Sequence, residues 1–326
     1  MMMRPAHTTP CRVLTVLGMG LLAACTNWSQ VQAPATKLGT AITAAVAAQQ
    51  TIYSNANTGA QNVQIAFFHA RWLTEKLDKT ALLAGPTTAA PAVPAAELAV
   101  RQTVLKGVGA YGQAMTAIAS GTEDTTLSTS ATSIGQSLKT IATDKGAIGT
   151  FVNKDLDLAA LNTKLKSFGM SSTDNAGDLA ATAINSIGQV LIDYAKAHEL
   201  QQSAKSMQPH LASLAAIFEA ENANLVRGVT AEWNSEIDAV RVKMELAVLN
   251  DRNATKGQLY GDMQKIEADS ASLKVPADDA PAASAWDAVV KANADVAGAK
   301  PDLAADAQDA LDRAQAAVTF YKGLQK

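Results

Sequence analysis

Apolar side chains recur three and four positions apart along most of this chain, which is the spacing of one face of an α-helix. The stretch 95–120 is typical, with Val104, Val108, Tyr111 and Met115 on one face. No stretch alternates apolar and polar residues with a period of two, so the pattern predicts no β-strands. We therefore expect an all-α fold, an elongated antiparallel bundle of long Ala-rich helices. The predicted helices lie near 37–84, 95–120, 125–144, 155–168, 179–206, 209–250, 256–273, 284–296 and 302–324.

Proline, glycine and turn-forming residues divide this helical pattern. Three prolines within Gly85–Pro94 remove backbone donors and cannot continue a helix, so this stretch predicts the clearest connector. A weak patch near Ser54–Gly59 either separates two helices or kinks one long helix. Turn-forming residues over Ser167–Asp178 predict a second joint. This joint separates an N-terminal helical part, 36–170, from a C-terminal part, 171–326, and we expect the two to pack as one bundle.

Single residues predict several helix ends. Gly121 supplies a terminator for the helix that precedes it. Proline fits best in the first turn of a helix, so we expect one helix to end near Ser206 and the next to begin at Pro209. Ser284 and Asp287 have the spacing of a capping box, which predicts a helix start at Ser284.

Residues 1–24 have the features of a secretion signal. Arg4 and Arg12 give a positive start, and the weakly polar to apolar run Val13–Ala24 follows. A membrane-spanning helix needs roughly 20 apolar residues, whereas the core of a signal peptide needs about 7–15. The run fits the second length, so residues 1–24 are predicted to be a signal peptide and not a membrane anchor.

The end of this run carries a recognisable motif. Leu22-Ala23-Ala24-Cys25 combines an aliphatic residue, two small residues and a cysteine, and it resembles the lipobox of bacterial lipoproteins. The resemblance implies that Cys25 carries a diacylglyceryl group, that the signal is cleaved before it, and that the new amino terminus is acylated. Two or three chains hold a protein stably on a membrane, because each buried methylene contributes about 0.8 kcal/mol.

Residues 25–35 show no apolar period and predict a short lipidated tether. The alternative is ordinary secretion with cleavage near Ala33 or Ala35, where small residues also have the required spacing. In enterobacterial lipoproteins an Asp after the cysteine retains the protein at the inner membrane. Because Thr26 stands at that place, the resemblance implies an outer-membrane protein that faces the periplasm.

Composition excludes several classes of function. Hydrophobic residues make up 48% of the chain, although only 5% of residues are aromatic and 17% are charged. The net charge is −3, and no basic stripe that would neutralise phosphates occurs, so we expect no nucleic-acid partner. Cys11 leaves with the signal and Cys25 is lipidated, so the mature chain is expected to form no internal disulfide. We expect no cofactor.

Two motifs suggest cofactor chemistry only superficially. Gly107–Gly112 matches the pattern GxGxxG, but a dinucleotide loop needs a strand before it, and a helix is predicted here. Small residues that let two helices approach closely, or a chance match to the pattern, are the better interpretations. His198 and His210 can meet only if Ser203–Gln208 forms a helical hairpin, and no HExxH motif accompanies them. We therefore expect no metal site.

Glu232 and Glu236 lie one helical turn apart, with Trp233 between them. Paired carboxylates that act as acid and base face each other across a cleft instead of following one helix. We interpret them as a solvated acidic face. No GxSxG or Walker-type loop occurs either, so the sequence predicts a protein that is not an enzyme.

The densest aromatic cluster contains Phe68, Arg71 and Trp72. Phe68 and Trp72 share a helix face at a spacing of four residues. A place in the core is the commoner role for such a cluster. On a surface, the same residue types dominate binding hot spots, so these three are the candidate partner-binding residues.

The expected function is binding in the cell envelope. A lipid on Cys25 would hold the protein on a membrane, and long helices would serve as a structural or adaptor component that contacts a protein partner. Two alternatives remain open. One is an immunity lipoprotein that neutralises a periplasmic toxin, and the other is a carrier of an apolar ligand between helices.

Overall fold

The fold is a bundle of α-helices. The computed structural model describes residues 30–60, 91–122, 125–152, 156–194, 200–250 and 280–323, and within 226–250 it describes the backbone alone. All regular structure in these ranges is α-helical, which confirms the predicted all-α fold. The helices are α1 (30–60), α2 (Ala95–Ser120), α3 (Thr125–Thr143), α4 (Lys145–Phe151), α5 (Leu158–Ser167), α6 (Ala176–Tyr194), α7 (Leu200–Asn250), α8 (Ala280–Gly298) and α9 (Leu303–Gly323).

Helices α2 and α7 lie at the centre of the bundle. Every residue of α7 from Leu211 to Asn222 is buried. Helix α2 is likewise buried on all faces over Gly107–Gly112. A helix that is enclosed on all sides needs partners all round, and these are provided by α1, by the packed pair α3 and α6, and by the packed pair α8 and α9. The buried side chains form one core that is continuous in space. Its members range in sequence from Val31 to Tyr321 and come from both predicted parts of the chain.

Glycines set the closest approaches between helices. A Cβ atom on Gly112 would lie 2.7 Å from the carbonyl oxygen of Gly39, so α1 and α2 cross with their backbones in contact. A Cβ atom on Gly135 would lie 2.6 Å from the carbonyl oxygen of Gly188, where α3 crosses α6. The stretch Gly107–Gly112 therefore lies inside a helix, and its interpretation as small residues for close helix packing is confirmed.

Several helix ends agree with their predicted residues. Gly121 adopts the left-handed conformation, with φ of 65°, and ends α2 as expected. The non-helical residues 91–94 agree with the predicted connector. Asp157 caps α5 by accepting hydrogen bonds from two backbone amides. Asp144 does the same for α4, a short helix that the sequence analysis did not predict.

Two predicted helix starts are wrong. Helix α7 begins at Leu200 and continues through Pro209, so no break lies between Ser206 and Pro209. The ring of Pro209 is exposed while Met207 and Leu211 beside it are buried. Packing of these neighbours offsets the hydrogen bond that a proline inside a helix removes.

Ser284 does not begin a helix either. Helix α8 starts at Ala280, with Pro281 in its first turn as proline prefers. The hydroxyl of Ser284 instead accepts a hydrogen bond from Arg313 of α9, at 2.7 Å. The predicted capping box is therefore wrong, and the side chain connects two helices.

The first described helix includes more of the chain than predicted. Residues 30–35, which were expected in the tether, are helical, and Val31 and Ala35 are buried. Spaced four residues apart, these two side chains lie on the same helix face as Leu38, so core contacts extend the helix toward the amino terminus. The patch Ser54–Gly59 does not interrupt α1. The rest of the predicted helix 37–84 and the whole of 256–273 lie outside the described residues.

Candidate functional site

Polar side chains concentrate at one level of the buried core. Glu219, Glu221 and Asn222 follow directly after the apolar stretch of α7, and all three are buried. Successive helix positions turn by about 100°, so these side chains leave α7 in different directions. Each one meets a different set of neighbouring helices, and this level is the candidate site.

Glu221 is the centre of a group that we call the Glu221 cluster, formed by the buried residues Tyr53, Arg101 and Glu221 and the partly exposed Glu97. The hydroxyl of Tyr53 donates to Oε2 of Glu221 at 2.5 Å, and Nε of Arg101 donates to Oε1 at 2.5 Å. Nη1 of Arg101 also donates to Glu97, at 3.2 Å, and to the carbonyl oxygen of Thr150, at 3.1 Å. Through these contacts one carboxylate joins α1, α2, α4 and α7.

The protonation states in the Glu221 cluster follow from its burial. Burial and the neighbouring carboxylate of Glu221 hold the pKa of Tyr53 well above its ordinary value of 10.0. Burial opposes the charge of Arg101, but Glu221 outweighs it, so the pKa of Arg101 lies above its ordinary value. At neutral pH Tyr53 is therefore a phenol and Arg101 a cation. Both donors are directed at Glu221, and the chemistry of this arrangement is that of a structural ion pair.

A pair of amides lies beside the Glu221 cluster. Nε2 of Gln49 donates to Oδ1 of Asn222 at 2.6 Å, and Nδ2 of Asn222 donates back to Oε1 of Gln49 at 2.9 Å. The indole nitrogen of Trp286 also donates to Gln49, at 3.3 Å. The amide pair therefore links α1, α7 and α8, with its donors and acceptors matched inside the core.

Lys164 lies at the partly exposed edge of the same level. Its Nζ is 2.6 Å from Glu219 of α7 and 2.6 Å from Asp287 of α8. Burial opposes its charge, but the two carboxylates prevail and raise the pKa of Lys164. The ammonium also lies 5.2 Å from the centre of the Phe168 ring. Lys164 therefore connects α5 to both α7 and α8.

The site residues that the sequence predicted do not belong to the polar contacts described above. Cys25, Phe68, Arg71 and Trp72 all lie outside the described residues. For the pair Glu232 and Glu236 the helical backbone places the two residues one turn apart, and their side chains are not described.

The structure tests part of the hypothesis that His198 and His210 meet to bind a metal. Ser203–Gln208 is continuous helix, so the hairpin that would bring His198 to His210 does not form. His198 itself is outside the described residues. His210 lies on α7, where burial lowers its pKa. Within the described ranges no group of three His, Cys, Asp or Glu side chains is placed to hold a metal ion.

Sequence reasoning missed the residues that form the Glu221 cluster, although a signal for one of them was present. Arg101 stands three positions before Val104 and seven before Val108, so a lone cation continues an apolar helix face. A cation on such a face must find a buried carboxylate, because an unpaired charge in a core is costly. Nothing in the sequence identified Glu221 as that carboxylate.

No family model, curated protein or solved structure matches the chain. None of the described helices is both long and apolar enough to cross a membrane. The resemblance of Leu22-Ala23-Ala24-Cys25 to a lipobox and the contacts described above are therefore the basis for inferring function.

Proposed function

We propose that this protein is a lipid-anchored, non-catalytic binding protein of the cell envelope, a structural or adaptor component that faces the periplasm from the outer membrane. The observation that carries the proposal is the motif Leu22-Ala23-Ala24-Cys25 at the end of a signal-length apolar run. Lipid on Cys25 supplies the attachment to the membrane. No nucleic acid and no cofactor takes part.

The interior of the bundle supports a binding role. Its most unusual groups, Tyr53, Arg101 and Glu221, are directed at one another and are almost completely buried. A catalytic acid or base must reach a substrate, directly or through one water. Groups that join several helices instead give a stiff body, and a stiff body suits a protein that presents a surface to a partner.

The lipid anchor is tested with the two cysteines of the chain. We expect Cys25→Ser to abolish incorporation of radiolabelled palmitate and to release the protein from the membrane fraction or stop its maturation. Cys11→Ser is the matched control, because it removes a thiol from the predicted signal and leaves the lipobox intact. Inhibition of lipoprotein signal peptidase should accumulate the larger precursor. A mature amino terminus at Thr36 would overturn the proposal, since cleavage after Ala35 would remove Cys25.

The partner-binding part of the proposal concerns Phe68, Arg71 and Trp72. If these side chains form a binding surface, Trp72→Ala should leave the melting temperature nearly unchanged and weaken capture of an envelope partner by about 2 kcal/mol or more. If they form core, the same change should lower stability by about 3–5 kcal/mol. Melting and capture measured on one preparation separate the two results. A large melting shift would contradict the binding role of these residues.

A further inference from the structure

The helix directions place four parts of the chain at one end of the bundle. Gly39 contacts Gly112 and Thr116, whereas Asn57 exchanges two hydrogen bonds with the backbone of Val93, so α1 runs antiparallel to α2. The start of α1 therefore lies near the end of α2, where the exposed residues Gly121 and Thr122 follow.

Polar contacts fix the directions of α7 and α8 in the same way. Asn293 of α8 accepts from Tyr111 and donates to the carbonyl oxygen of Ala204, whereas Gln49 meets Trp286 and Asn222 toward the other end of the bundle. Helix α8 thus ends, and α7 begins, at the level where α2 ends. The turn 299–302 between α8 and α9 lies there too.

We call this end the anchor-proximal end and define it by residue 30, Gly121–Thr122, Leu200–Gln202 and residues 299–302. The opposite end holds Asp144 and the contact between Asn55 and the carbonyl oxygen of Tyr321. Helix α2 continues for nineteen positions from Arg101 to its end at Ser120, so the level of Arg101 lies about 28 Å from the anchor-proximal end.

The chain between the lipid and the bundle is very short. Residue 30 is already helical, and Val31 packs in the core. Four residues lie between Cys25 and residue 30, so five Cα–Cα steps join them, and a fully extended chain reaches at most about 18 Å over these steps. A lipid on Cys25 therefore holds the anchor-proximal end closer to the membrane than the bundle is long.

The exposed chemistry at this end suits contact with lipid headgroups. Thr122, Gln201, Gln202 and Asp302 are exposed and polar, and Lys300 is exposed while it pairs with Asp295 at 2.8 Å. The exposed ring of Phe320 lies toward the other end, beside Tyr321. Such a surface can rest among polar headgroups without inserting apolar side chains into the bilayer.

We infer that the anchor-proximal end rests on the headgroups of the membrane and that the bundle stands upright, with Asp144, Tyr321 and the direction of α7 pointing away from the lipid. This inference rests on the proposed lipidation of Cys25. It assigns the membrane itself as the partner of the turns at Thr122 and 299–302. The opposite end is then the surface that is free to meet a protein in the periplasm.

Single cysteines test this orientation, because Cys25 is blocked by lipid in the mature protein and the mature sequence has no other cysteine. The lipidated protein is placed in vesicles of phosphatidylcholine and phosphatidylethanolamine that contain a nitroxide on a fraction of the headgroups. A fluorophore is attached at Thr122→Cys or Gln201→Cys. Thr143→Cys and Lys322→Cys are the matched positions at the opposite end, and all four residues are exposed.

We expect the nitroxide lipids to quench most of the fluorescence at Thr122 and Gln201 and almost none at Thr143 and Lys322. Equal quenching at the four positions would show that the bundle lies on its side and would overturn the inference. Stronger quenching at Thr143 and Lys322 would show the inverse orientation and would overturn it as well.

A second preparation separates this inference from the proposed lipidation. The mature chain from Thr26 onward is given an amino-terminal hexahistidine tag and is bound to the same vesicles through a nickel-chelating lipid. The four labels should give the same contrast, because the tag holds the same end of the chain. Absence of lipid on Cys25 in cells would refute the proposed function alone, whereas loss of the contrast on tagged protein would refute the orientation.

Discussion

Two contacts along the same pair of helices hold the bundle by opposite physical means. Where α1 crosses α2 at Gly39 and Gly112, the backbones touch because side-chain atoms are missing. Roughly three to four turns away, Tyr53 and Arg101 from the same two helices enclose the carboxylate of Glu221. The crossing involves no charge, and the cluster consists of charges and their hydrogen bonds.

The difference shows which changes each region resists. A glycine crossing is damaged by added atoms and is indifferent to pH and salt. The Glu221 cluster is damaged by removed atoms, because a buried charge without its partner costs more than the pair contributes. Substitutions that add atoms at the crossing and substitutions that remove atoms from the Glu221 cluster should therefore differ in the size of their effect on stability and in its dependence on pH. They should also differ in the second substitution that restores stability.

The largest effect is expected from Glu221→Ala. The change removes the acceptor of the Tyr53 hydroxyl and of Nε of Arg101, so the buried guanidinium keeps only its longer contacts to Glu97 and to the carbonyl oxygen of Thr150. It should lower the free energy of unfolding by about 3–5 kcal/mol. Urea denaturation followed by circular dichroism measures it. Asp309→Ala is the control, since its partner Arg313 is about half exposed, and it should change stability by less than about 1 kcal/mol. Similar losses in both variants would contradict a special role for burial.

A double substitution tests whether Arg101 and Glu221 stabilise the fold as a coupled pair. Arg101→Met together with Glu221→Leu replaces the ion pair by apolar side chains of similar size and should be less destabilised than either single variant. The physical reason is that no charge remains buried alone. If the two losses simply add, the pair is not coupled as the 2.5 Å contact indicates.

The next effect is expected from Gly39→Ala. Its Cβ would collide with the carbonyl oxygen of Gly112 and with Oγ1 of Thr116, and separating two helices in a packed core should cost about 1–3 kcal/mol. Gly149→Ala is the matched control, because no atom beyond its chain neighbours and the adjoining backbone of helix α4 lies within 4 Å of the new Cβ. That variant should gain about 0.5–1 kcal/mol from helix propensity. A neutral Gly39→Ala would show that the crossing is loose.

A smaller, pH-dependent effect is expected at the buried Tyr111, which belongs to neither the glycine crossing nor the Glu221 cluster. Burial raises the pKa of Tyr111, whose hydroxyl donates to Asn293 at 2.6 Å, so the folded protein keeps a proton that the unfolded chain releases near pH 10. Stability from this group is complete below pH 10 and should fall by about 1.4 kcal/mol per pH unit above it. Tyr111→Phe should reduce that slope, whereas Gly39→Ala should keep it. Identical slopes in the wild type and in Tyr111→Phe would count against the shift.

The smallest effect is expected at the exposed edge of the polar level. Asp287 shares Lys164 with Glu219, and its side chain is 47% exposed. Asp287→Asn should lower stability by less than about 1 kcal/mol, and the loss should shrink when salt is added. Denaturation at low and high ionic strength measures this dependence. A loss as large as that of Glu221→Ala would place Asp287 within the buried cluster.

The sequence alone determined the helical elements and many of their ends. Helix α2 covers Ala95–Ser120 as the apolar spacing predicts, and it ends at Gly121 because glycine adopts a positive φ without steric cost. These features depend on residues close in sequence, so local rules are sufficient. Where they failed, at Pro209 and Ser284, contacts between helices outweighed a local preference.

Only the tertiary structure decided which helix faces meet. Tyr53 and Glu221 are 168 residues apart, and Arg101 and Glu221 are 120 residues apart. A helical period reveals that a face is apolar or carries a lone charge, but it carries no information about the partner of that face. The packing of the whole core determines which helix faces pair. A buried charge is stable only where this packing places an opposite charge or a hydrogen-bond partner beside it.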